Sequence, residues 1–386
     1  KAYMDNVRNN CKKTCETCVL SKTFACLSDG IHFGSGTTLH HSTASEGGGS
    51  VSADLCAVEM KNVSILKSTS TTGDGGAILL SSDSTLRIKE MSTFENNTAA
   101  AGSGGAIACQ ACGLMEFKDG TEFQSNKADN SGGAIHLSSP KSKVISSGTR
   151  FVGNTATVGN GGAVNSHHSS WASLGDRFES NIAVAGSGGA FASFATTVHF
   201  DATTLCRKNT ALQGGGGCLL WEPEAENVGD EKWKKLAPVI ENMNLITDNN
   251  AAYGVALATP PAALRVITVP TTKMTTNDEK ILAPEYPRVE LLDWHASVVR
   301  GVFAKDVEIN AKLFESEAKL FGGSVAKANN NGTGSFSELG LQGVPGSGPH
   351  HLYFESFLNT GTRRFLNTSS LLKTWIKECA EQTYLK

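Results

Sequence analysis

The 386-residue chain is poor in charged and aromatic residues and has no long apolar run. Asp, Glu, Lys and Arg make up 18% of it, Phe, Trp and Tyr make up 7%, and the formal net charge is −3. A charge so close to balance gives no electrostatic reason to expect binding to nucleic acid or to an anionic membrane. Since no apolar stretch approaches the eighteen or so residues of a membrane-spanning helix, we expect no membrane span in this segment.

Motifs of catalysis and nucleotide binding are also missing, because no Gly-x-Ser-x-Gly, Walker or dinucleotide-binding pattern occurs. His167 and His168 are adjacent, and adjacent residues of a strand face opposite sides, so one metal ion is not expected to bind both. The acidic residues of the repeat region are scattered rather than clustered as a polysaccharide-cleaving site requires: Asp74, Asp83, Asp119, Asp129 and Asp176. We therefore expect no enzyme, no cofactor and no metal site.

Glycine, by contrast, is abundant at 41 residues, and many of the glycines belong to a repeat. A Gly-Gly-Ala-apolar motif recurs with its first glycines 29, 28, 29 and 27 residues apart, and the Phe residues of an intervening Phe-x-x-Asn motif are 29, 28 and 27 apart. Two motifs that stay in phase over several intervals identify a structural repeat. The copies are Gly75–Ile78, Gly104–Ile107, Gly132–Ile135, Gly161–Val164 and Gly188–Phe191, with Phe94–Asn97, Phe123–Asn126, Phe151–Asn154 and Phe178–Asn181 between them.

A unit of about 28 residues favours one coil of a parallel β-helix, with three short strands and three turns. Its apolar runs are strand-length, they are separated by Gly, Ser, Asn and Asp, and none has the period of a helix. One coil cannot bury its own apolar face, whereas stacked coils share a continuous core. The predicted fold class is therefore all-β, with a right-handed parallel β-helix at residues 31–269 that is interrupted by an insertion at 222–243.

Parallel stacking places equivalent residues of successive coils about 4.8 Å apart. We predict an inward stack of the repeat phenylalanines and a ladder of the repeat asparagines, whose amides bond turn backbone from coil to coil. The glycine pairs allow positive φ or a close backbone approach at one corner. The predicted structural residues are Phe94, Phe123, Phe151, Phe178, Asn97, Asn126, Asn154 and Asn181.

The alternation of Gly-Gly-Ala-(Ile/Val) with Phe-x-x-Asn resembles the repeat of chlamydial polymorphic outer-membrane proteins. It is also similar to related repeats in very large surface proteins of protists and algae. The resemblance covers roughly residues 47–269. It implies a surface-exposed β-helix with an adhesive or scaffolding role, and it brings no catalytic residues with it.

Ten cysteines favour an oxidising compartment. Cys109 and Cys112 form a lone Cys-x-x-Cys, which we interpret as a disulfide at a coil edge; half of a zinc site and a redox pair are the alternatives. Cys206 replaces a repeat Phe and Cys218 a repeat Ala, and both positions face inward in neighbouring coils, so these two are expected to bridge each other. The other candidates, whose partners the sequence does not assign, are Cys11, Cys15, Cys18, Cys26 and Cys56.

Four Asn-x-Ser/Thr sequons permit N-glycosylation, at Asn62, Asn96, Asn331 and Asn367. Such sequons also arise by chance, so they carry weight only together with the cysteines. Both features favour a secreted eukaryotic protein, and the predicted location is extracellular or at the cell surface.

Other segments flank the predicted β-helix. Residues 1–30 are interpreted as the cysteine-rich end of a preceding module or as a cap, because an open solenoid end exposes apolar core and unpaired strand edges. Residues 262–269 are expected to form the closing strand of the last coil, and the prolines of 270–287 indicate a linker. Residues 369–386, with Cys379, are expected to begin a further cysteine-containing module. The chain begins at Lys1, with neither an initiator methionine nor a signal peptide, so we expect it to be part of a longer protein.

Residues 288–368 carry strand-like runs at a spacing of about ten residues, which favours an immunoglobulin-like β-sandwich. Some of these runs resemble the late strands of filamin-type or bacterial immunoglobulin-like modules. The predicted strands are Val289–Leu292, Val298–Val302, Val307–Ala311, Gly334–Leu339 and His351–Phe354.

These features predict an extracellular structural segment, such as a building block of a flagellar hair, a cell-wall fibre or another extracellular matrix. A glycan- or protein-binding adhesin is the alternative, and a polysaccharide-active enzyme is the third. The expected partners are other copies or other modules of the same surface assembly, with glycans as a further class. The insertion at 222–243 is the expected contact because Trp221 and Trp233 belong to a residue type enriched at interfaces; a helix packed back on its own coil is the alternative.

Overall fold

The computed structural model describes residues 18–20, 23–27, 30–118, 120–140, 142–224, 231–269, 286–360, 362–368 and 371–376. The predictions for Cys11, Cys15 and Cys379, and for most of the linker at 270–287, lie outside these residues. The chain divides into two compact units, one of Lys1–Pro223 with Lys235–Ala258 and one of Glu224–Lys234 with Thr259–Lys386.

The first unit is a parallel β-helix of about seven turns, which confirms the predicted fold class. Four sheets enclose its axis, two of nine strands and two of eight, and neighbouring strands within each sheet are parallel. Each complete coil therefore contains four strands rather than the predicted three. The additional strand is two residues long in most coils, which is too short to give a periodicity signal in the sequence.

The four sheets are numbered in the order in which a coil passes through them. Sheet 1 follows the glycine pairs and contains Phe24–Cys26, Val51–Asp54, Ile78–Ser81, Ile107–Gln110, Ile135–Leu137, Val164–His167, Phe191–Phe194, Leu219–Glu222 and Leu257–Ala258. Sheet 2 contains Gly30–Phe33, Ala57–Lys61, Thr85–Lys89, Leu114–Phe117, Lys143–Ser147, Ser170–Leu174, Thr197–Phe200 and Val239–Ile240. Sheet 3 contains Cys18–Leu20, Thr37–His40, Ser64–Leu66, Thr93–Glu95, Glu122–Gln124, Arg150–Val152, Arg177–Glu179, Leu205–Arg207 and Ile246–Thr247. Sheet 4 contains Thr43–Ala44, Thr69–Ser70, Thr98–Ala99, Lys127–Ala128, Thr155–Ala156, Ile182–Ala183, Thr210–Gly215 and Asn250–Tyr253.

The core of the β-helix follows from the alternation of side chains along these strands. In Thr85–Lys89, for example, Leu86 and Ile88 are buried while Arg87 and Lys89 are exposed. The four repeat phenylalanines are fully buried in one column on sheet 3. Their successive ring centroids are 4.8, 5.0 and 4.7 Å apart, with interplanar angles of 15°, 5° and 3°. One column of stacked rings thus links the coils that carry the repeat.

The two glycines of each motif are required for different steric reasons. Gly104 has a φ of +70°, which an L side chain rarely adopts. Gly105 has no such backbone, but a Cβ on it would lie 2.2 Å from the carbonyl oxygen of Gly133 in the next coil. The first glycine therefore makes the turn, and the second lets adjacent coils approach each other.

The second unit contains antiparallel sheets that are compatible with a β-sandwich. One sheet consists of Ala263–Thr268, Arg288–Leu292 and Thr333–Ser335; a second of Val325–Lys327, Glu308–Phe314, His350–Thr360, Thr362–Asn367 and Leu372–Thr374; and a third of Lys319–Gly322 and Leu339–Gln342. The immunoglobulin-like identity stays a prediction. The described helices of the whole chain are short: the α-helix Glu231–Leu236 and the 3-10 helices Met243–Leu245 and Gly301–Phe303.

Three predicted strands differ from the structure. The predicted strand Gly334–Leu339 is divided by a turn at 336–338 into the ends of Thr333–Ser335 and Leu339–Gln342, which belong to different sheets. Residues 262–269 do not close the last coil, because Ala263–Thr268 pairs antiparallel with Arg288–Leu292 in the second unit. The predicted strand Val298–Val302 is limited to a single bridge between Val298 and Leu292. The chain then bends at Gly301, whose φ is +69°, into a 3-10 helix, so it cannot continue as a strand.

The prediction that Trp221 and Trp233 form a contact surface at the insertion is wrong. Trp221 is 1% exposed and Trp233 is 0% exposed, so neither indole presents a surface to a partner. Trp233 stacks on Trp294 within the second unit, with ring centroids 5.1 Å apart and an interplanar angle of 14°. Large aromatic side chains stabilise a fold by burial, and these two are used in that way.

The phenylalanine column gives the first testable prediction. Replacing Phe123 with Ala leaves a cavity between two stacked rings, and we expect it to lower the free energy of unfolding by about 3–5 kcal/mol. Met91→Ala is the matched control, because Met91 is 73% exposed and its truncation should change stability by about 0.5 kcal/mol or less. Urea denaturation measures both, and equal effects of the two variants would contradict the buried column.

Candidate functional site

The repeat asparagines form a ladder of side-chain amides inside the β-helix. Asn126 is fully buried, and its Oδ1 accepts from the backbone N and from Nδ2 of Asn97, at 3.0 and 2.9 Å. Its Nδ2 donates to the backbone oxygen of Phe94 at 2.9 Å and to Oδ1 of Asn154 at 3.0 Å. These four bonds use the full hydrogen-bonding capacity of the amide, so the buried polar group is completely satisfied.

The ladder extends beyond the four predicted asparagines. Asn181 donates to Asn209 at 2.9 Å, and Asn209 donates to Asn249 at 3.0 Å, so the ladder crosses the insertion without a break. At the other end Ser68 takes the place of Asn, and its backbone N donates to Oδ1 of Asn97 at 2.9 Å. The extension was detectable in the sequence, because Asn209 and Asn249 keep their place in the repeat.

A second ladder, which was not predicted from the sequence, lies at the residue before each glycine pair. The backbone N of Ser103 donates to Oδ1 of Asp74 at 2.7 Å, and that of Ser187 donates to Oδ1 of Asn160 at 2.8 Å. Ser131 links the middle, since it donates to Ser103 through its backbone N and accepts from the backbone N of Asn160 through its hydroxyl. The signal in the sequence is a short hydrogen-bonding residue before every glycine pair of the repeat.

Disulfides join the two cysteine pairs that the sequence singled out, Cys109 with Cys112 and Cys206 with Cys218. All four of these cysteines are at most 2% exposed. A third disulfide joins Cys26 with Cys56, whose pairing the sequence did not assign. Cys18 lies in a strand of sheet 3, and its side chain is outside the described residues.

The sequon asparagines lie in different environments. Asn62 and Asn96 are exposed at turns of the β-helix with φ values of +49° and +55°, a conformation that Asn tolerates better than most residues. Asn331 is exposed in a turn of the second unit. Asn367 ends the strand Thr362–Asn367, and its side chain is not among those described. Glycosylation at all four stays a prediction.

The adjacent histidines face different surroundings. His167 is half-buried on the outer face of sheet 1, whereas His168 is exposed at the following turn. Burial, together with the neighbouring His136 and His168, lowers the pKa of His167 to about 4. Among the residues that the structure describes, no group of three or more His, Cys, Asp and Glu side chains is placed to hold a metal ion.

One carboxyl group of the β-helix is enclosed in the core. Asp176 is 0% exposed at the turn between sheets 2 and 3, and its Oδ1 accepts from the backbone N of Thr149 at 2.8 Å. Burial acts to raise the pKa of this carboxyl, and side-chain hydrogen bonds from Ser173 and Ser146 offset it only in part. Burial raises the pKa of Asp176 to about 7, because the charged form loses its hydration there. Asp176 is thus a titratable group near neutral pH.

Asp201, in the next coil, has the opposite properties. Partial burial acts to raise its pKa, but hydrogen bonds from the backbone N of Gly175 and from Thr203 and Thr204 outweigh burial and hold the pKa at about 2. Asp201 therefore remains ionised at every pH at which the protein is expected to work, and it serves to brace its own turn.

A comparison with known protein families gives a match within the repeat region. The model of the Chlamydia polymorphic membrane protein repeat matches residues 92–110 and 120–138, which confirms the resemblance for these two copies. No curated protein and no solved structure gives a significant match to the chain. Across the described residues, no helix combines the length and apolarity needed to cross a membrane. The match and the fold together show a β-helix that contains repeats of the kind this family model describes.

The asparagine ladder gives the second prediction. Asn126→Ala leaves the backbone N of Asn97 and the backbone oxygen of Phe94 buried without partners, and each such loss costs about 1–3 kcal/mol. We therefore expect the free energy of unfolding to fall by roughly 3 kcal/mol or more. Gln124→Ala is the control, because this side chain is half-exposed on the strand Glu122–Gln124, two residues before Asn126. A loss below about 1 kcal/mol for Asn126→Ala would contradict an energetic role of the ladder.

Asp176 gives the third prediction, which concerns pH. Its pKa in the folded protein, about 7, lies above the ordinary value of 3.8, so between these pH values the folded state holds a proton that the unfolded chain has released. The free energy of unfolding therefore falls as pH rises from about 4 to about 7. Asp176→Asn removes this loss, and the stability of the variant relative to wild type should increase by roughly 2–3 kcal/mol between pH 5 and pH 8.

Asp201→Asn is the matched control for this titration. Asp201 is ionised in both the folded and the unfolded state between pH 5 and pH 8, so its own titration contributes nothing over that range. Its charge is a minor cause of the raised pKa of Asp176, so the stability difference of Asp201→Asn from wild type should change with pH much less than that of Asp176→Asn. Thermal denaturation at several pH values measures both variants. A difference for Asp176→Asn that does not change with pH would show that this carboxyl titrates normally.

Proposed function

We propose that this chain is a rigid structural segment of a larger cell-surface protein, serving as a building block of an extracellular fibre or matrix. The observation that carries the proposal is the continuous amide ladder from Ser68 to Asn249, which joins successive coils through buried and fully paired groups. A stack held together in this way transmits force along its axis with little room for local rearrangement.

The disulfides support the same role. Two of them, Cys26–Cys56 and Cys206–Cys218, join residues 30 and 12 positions apart, and cross-links of this kind restrict the unfolded chain. Disulfides persist in oxidising compartments, so they also support an extracellular location. The exposed sequons Asn62, Asn96 and Asn331 are compatible with that compartment.

A structural role without catalysis agrees with the state of the carboxyl groups described above. Asp176 is enclosed in the core, where no substrate reaches it, and Asp201 is bonded to its own turn. A glycosidase needs two carboxyl groups that flank a bound sugar, and these two side chains do not offer that arrangement.

The surface that we propose for contacts between modules is an apolar patch on the second unit. Phe357 and Phe365 lie opposite each other in an antiparallel pair and are 58% and 44% exposed. A pair of exposed aromatic side chains of this kind marks an interaction site. The pair also favours the second candidate function, a protein-binding adhesin, in which the patch contacts a different protein.

The test measures association of the purified chain over a wide concentration range by light scattering, with negative-stain imaging of the native material. We expect reversible association at high concentration and its loss in the double variant Phe357→Ser/Phe365→Ser. Lys373→Ser is the control, because Lys373 is exposed on the same sheet but pairs with His351, six residues along the strand from Phe357, and should leave association unchanged. A complete native protein that stays an unassembled monomer at high concentration would refute the fibre role and favour the adhesin.

A further inference from the structure

Two histidines from neighbouring coils meet on the outer face of sheet 1. His136 pairs in register with Asn165, and His167 is two residues further along the strand of Asn165, so all three side chains leave the sheet on the same side. The ring centroids of His136 and His167 are 6.0 Å apart, with an interplanar angle of 68°. Both histidines are half-buried, so their rings are held by neighbours and yet open to solvent.

Each ring is fixed by a different contact. His167 stacks on Phe194 of the next coil, with centroids 4.6 Å apart and an interplanar angle of 15°. His136 is fixed by Asn165, whose Nδ2 lies 3.0 Å from its Nδ1. Asn165 is only 1% exposed, and its Oδ1 is buried without a hydrogen-bond partner. The contact with a buried amide therefore leaves one polar atom of the cluster unsatisfied.

We propose that His136 and His167 together bind one divalent transition-metal ion, such as Cu²⁺ or Zn²⁺, a site that goes beyond the structural role proposed above. A metal about 2.1 Å from one nitrogen of each ring lies about 3.2 Å from each ring centre, so two rings that share it are at most about 6.4 Å apart. The observed 6.0 Å falls within this limit. If the two ring centres move about 1 Å closer together, the N–metal–N angle becomes the tetrahedral angle that Zn²⁺ prefers.

The unsatisfied amide oxygen fits this proposal. A metal-binding imidazole carries its proton on the nitrogen that does not face the metal, and it donates that proton to an oxygen of a supporting residue. Rotating the Asn165 amide by half a turn brings Oδ1 to the Nδ1–H of His136, and Nε2 is then available to the metal. Two protein ligands leave coordination positions for water or for a donor group of a bound partner.

The experiment uses the full chain without an affinity tag, freed of metal with a chelator and then titrated with Cu²⁺ or Zn²⁺ alone in calorimetry. Electron paramagnetic resonance of the Cu²⁺ form reports nitrogen ligands directly. We expect one site, with His136→Gln and His167→Gln each weakening binding at least tenfold. His168→Gln is the matched control and should change the affinity less than twofold, because His168 lies at the exposed turn beyond the strand.

If the Gln variants do not fold, a second measurement on the wild-type protein tests the site. In wild-type protein, substoichiometric Cu²⁺ should broaden the imidazole resonances of His136 and His167 before that of His199, which pairs with Glu241 at 2.8 Å. No binding at millimolar metal would overturn the proposal, and so would binding that both Gln variants retain. Either result would leave the structural role untouched, since that role is tested by association.

Discussion

In-register parallel stacking is the constraint on which the β-helix depends, because it places every residue beside its equivalent in the next coil. A side chain is tolerated at an inward position only if copies of it can bond or pack with one another along the axis. Asn meets this condition through its amide, which accepts from the coil before it and donates to the coil after it. Phe meets it by offset stacking, and the second glycine of each pair meets it by having no side chain.

Departures from the repeat are compensated by neighbouring residues. In one inward column of sheet 2, Ser146 and Ser173 lie between Phe117 and Phe200. Trp171, on an adjacent column, donates from Nε1 to Ser173 at 2.9 Å. The large indole thus accompanies two small neighbours. The same polar corner encloses Asp176, where burial raises the pKa to about 7 despite hydrogen bonds from Ser173 and Ser146, so the charged form is incompletely compensated. Such a site lowers stability and is retained only where the rest of the stack is strong enough.

How far the sequence predicts this protein depends on whether a feature repeats. The Phe column, the Asn ladder and the glycine corner were accessible because each recurs every 27–29 residues, and the Cys206–Cys218 pair was accessible because both residues interrupt that pattern. The second unit has no repeat, so the bend at Gly301 could not be separated from a strand. The contact of His136 with His167 joins different positions of two coils, and no single-coil pattern reveals it.

The outer faces of the β-helix obey weaker rules, and this difference locates where function can arise. Outward charges pair between coils, as Arg87 does with Glu116 at 2.9 Å, but exposed ion pairs of this kind contribute little to stability. The inward ladders already hold the coils in register, so an outward residue can change without loss of the fold. At an outward strand position the core fixes the backbone, whereas the identity of the side chain can vary. Such a position is well suited to a binding group, because the backbone holds that group in place. We therefore expect binding functions of this fold to lie on outward strand positions, and His136 with His167 is such a pair.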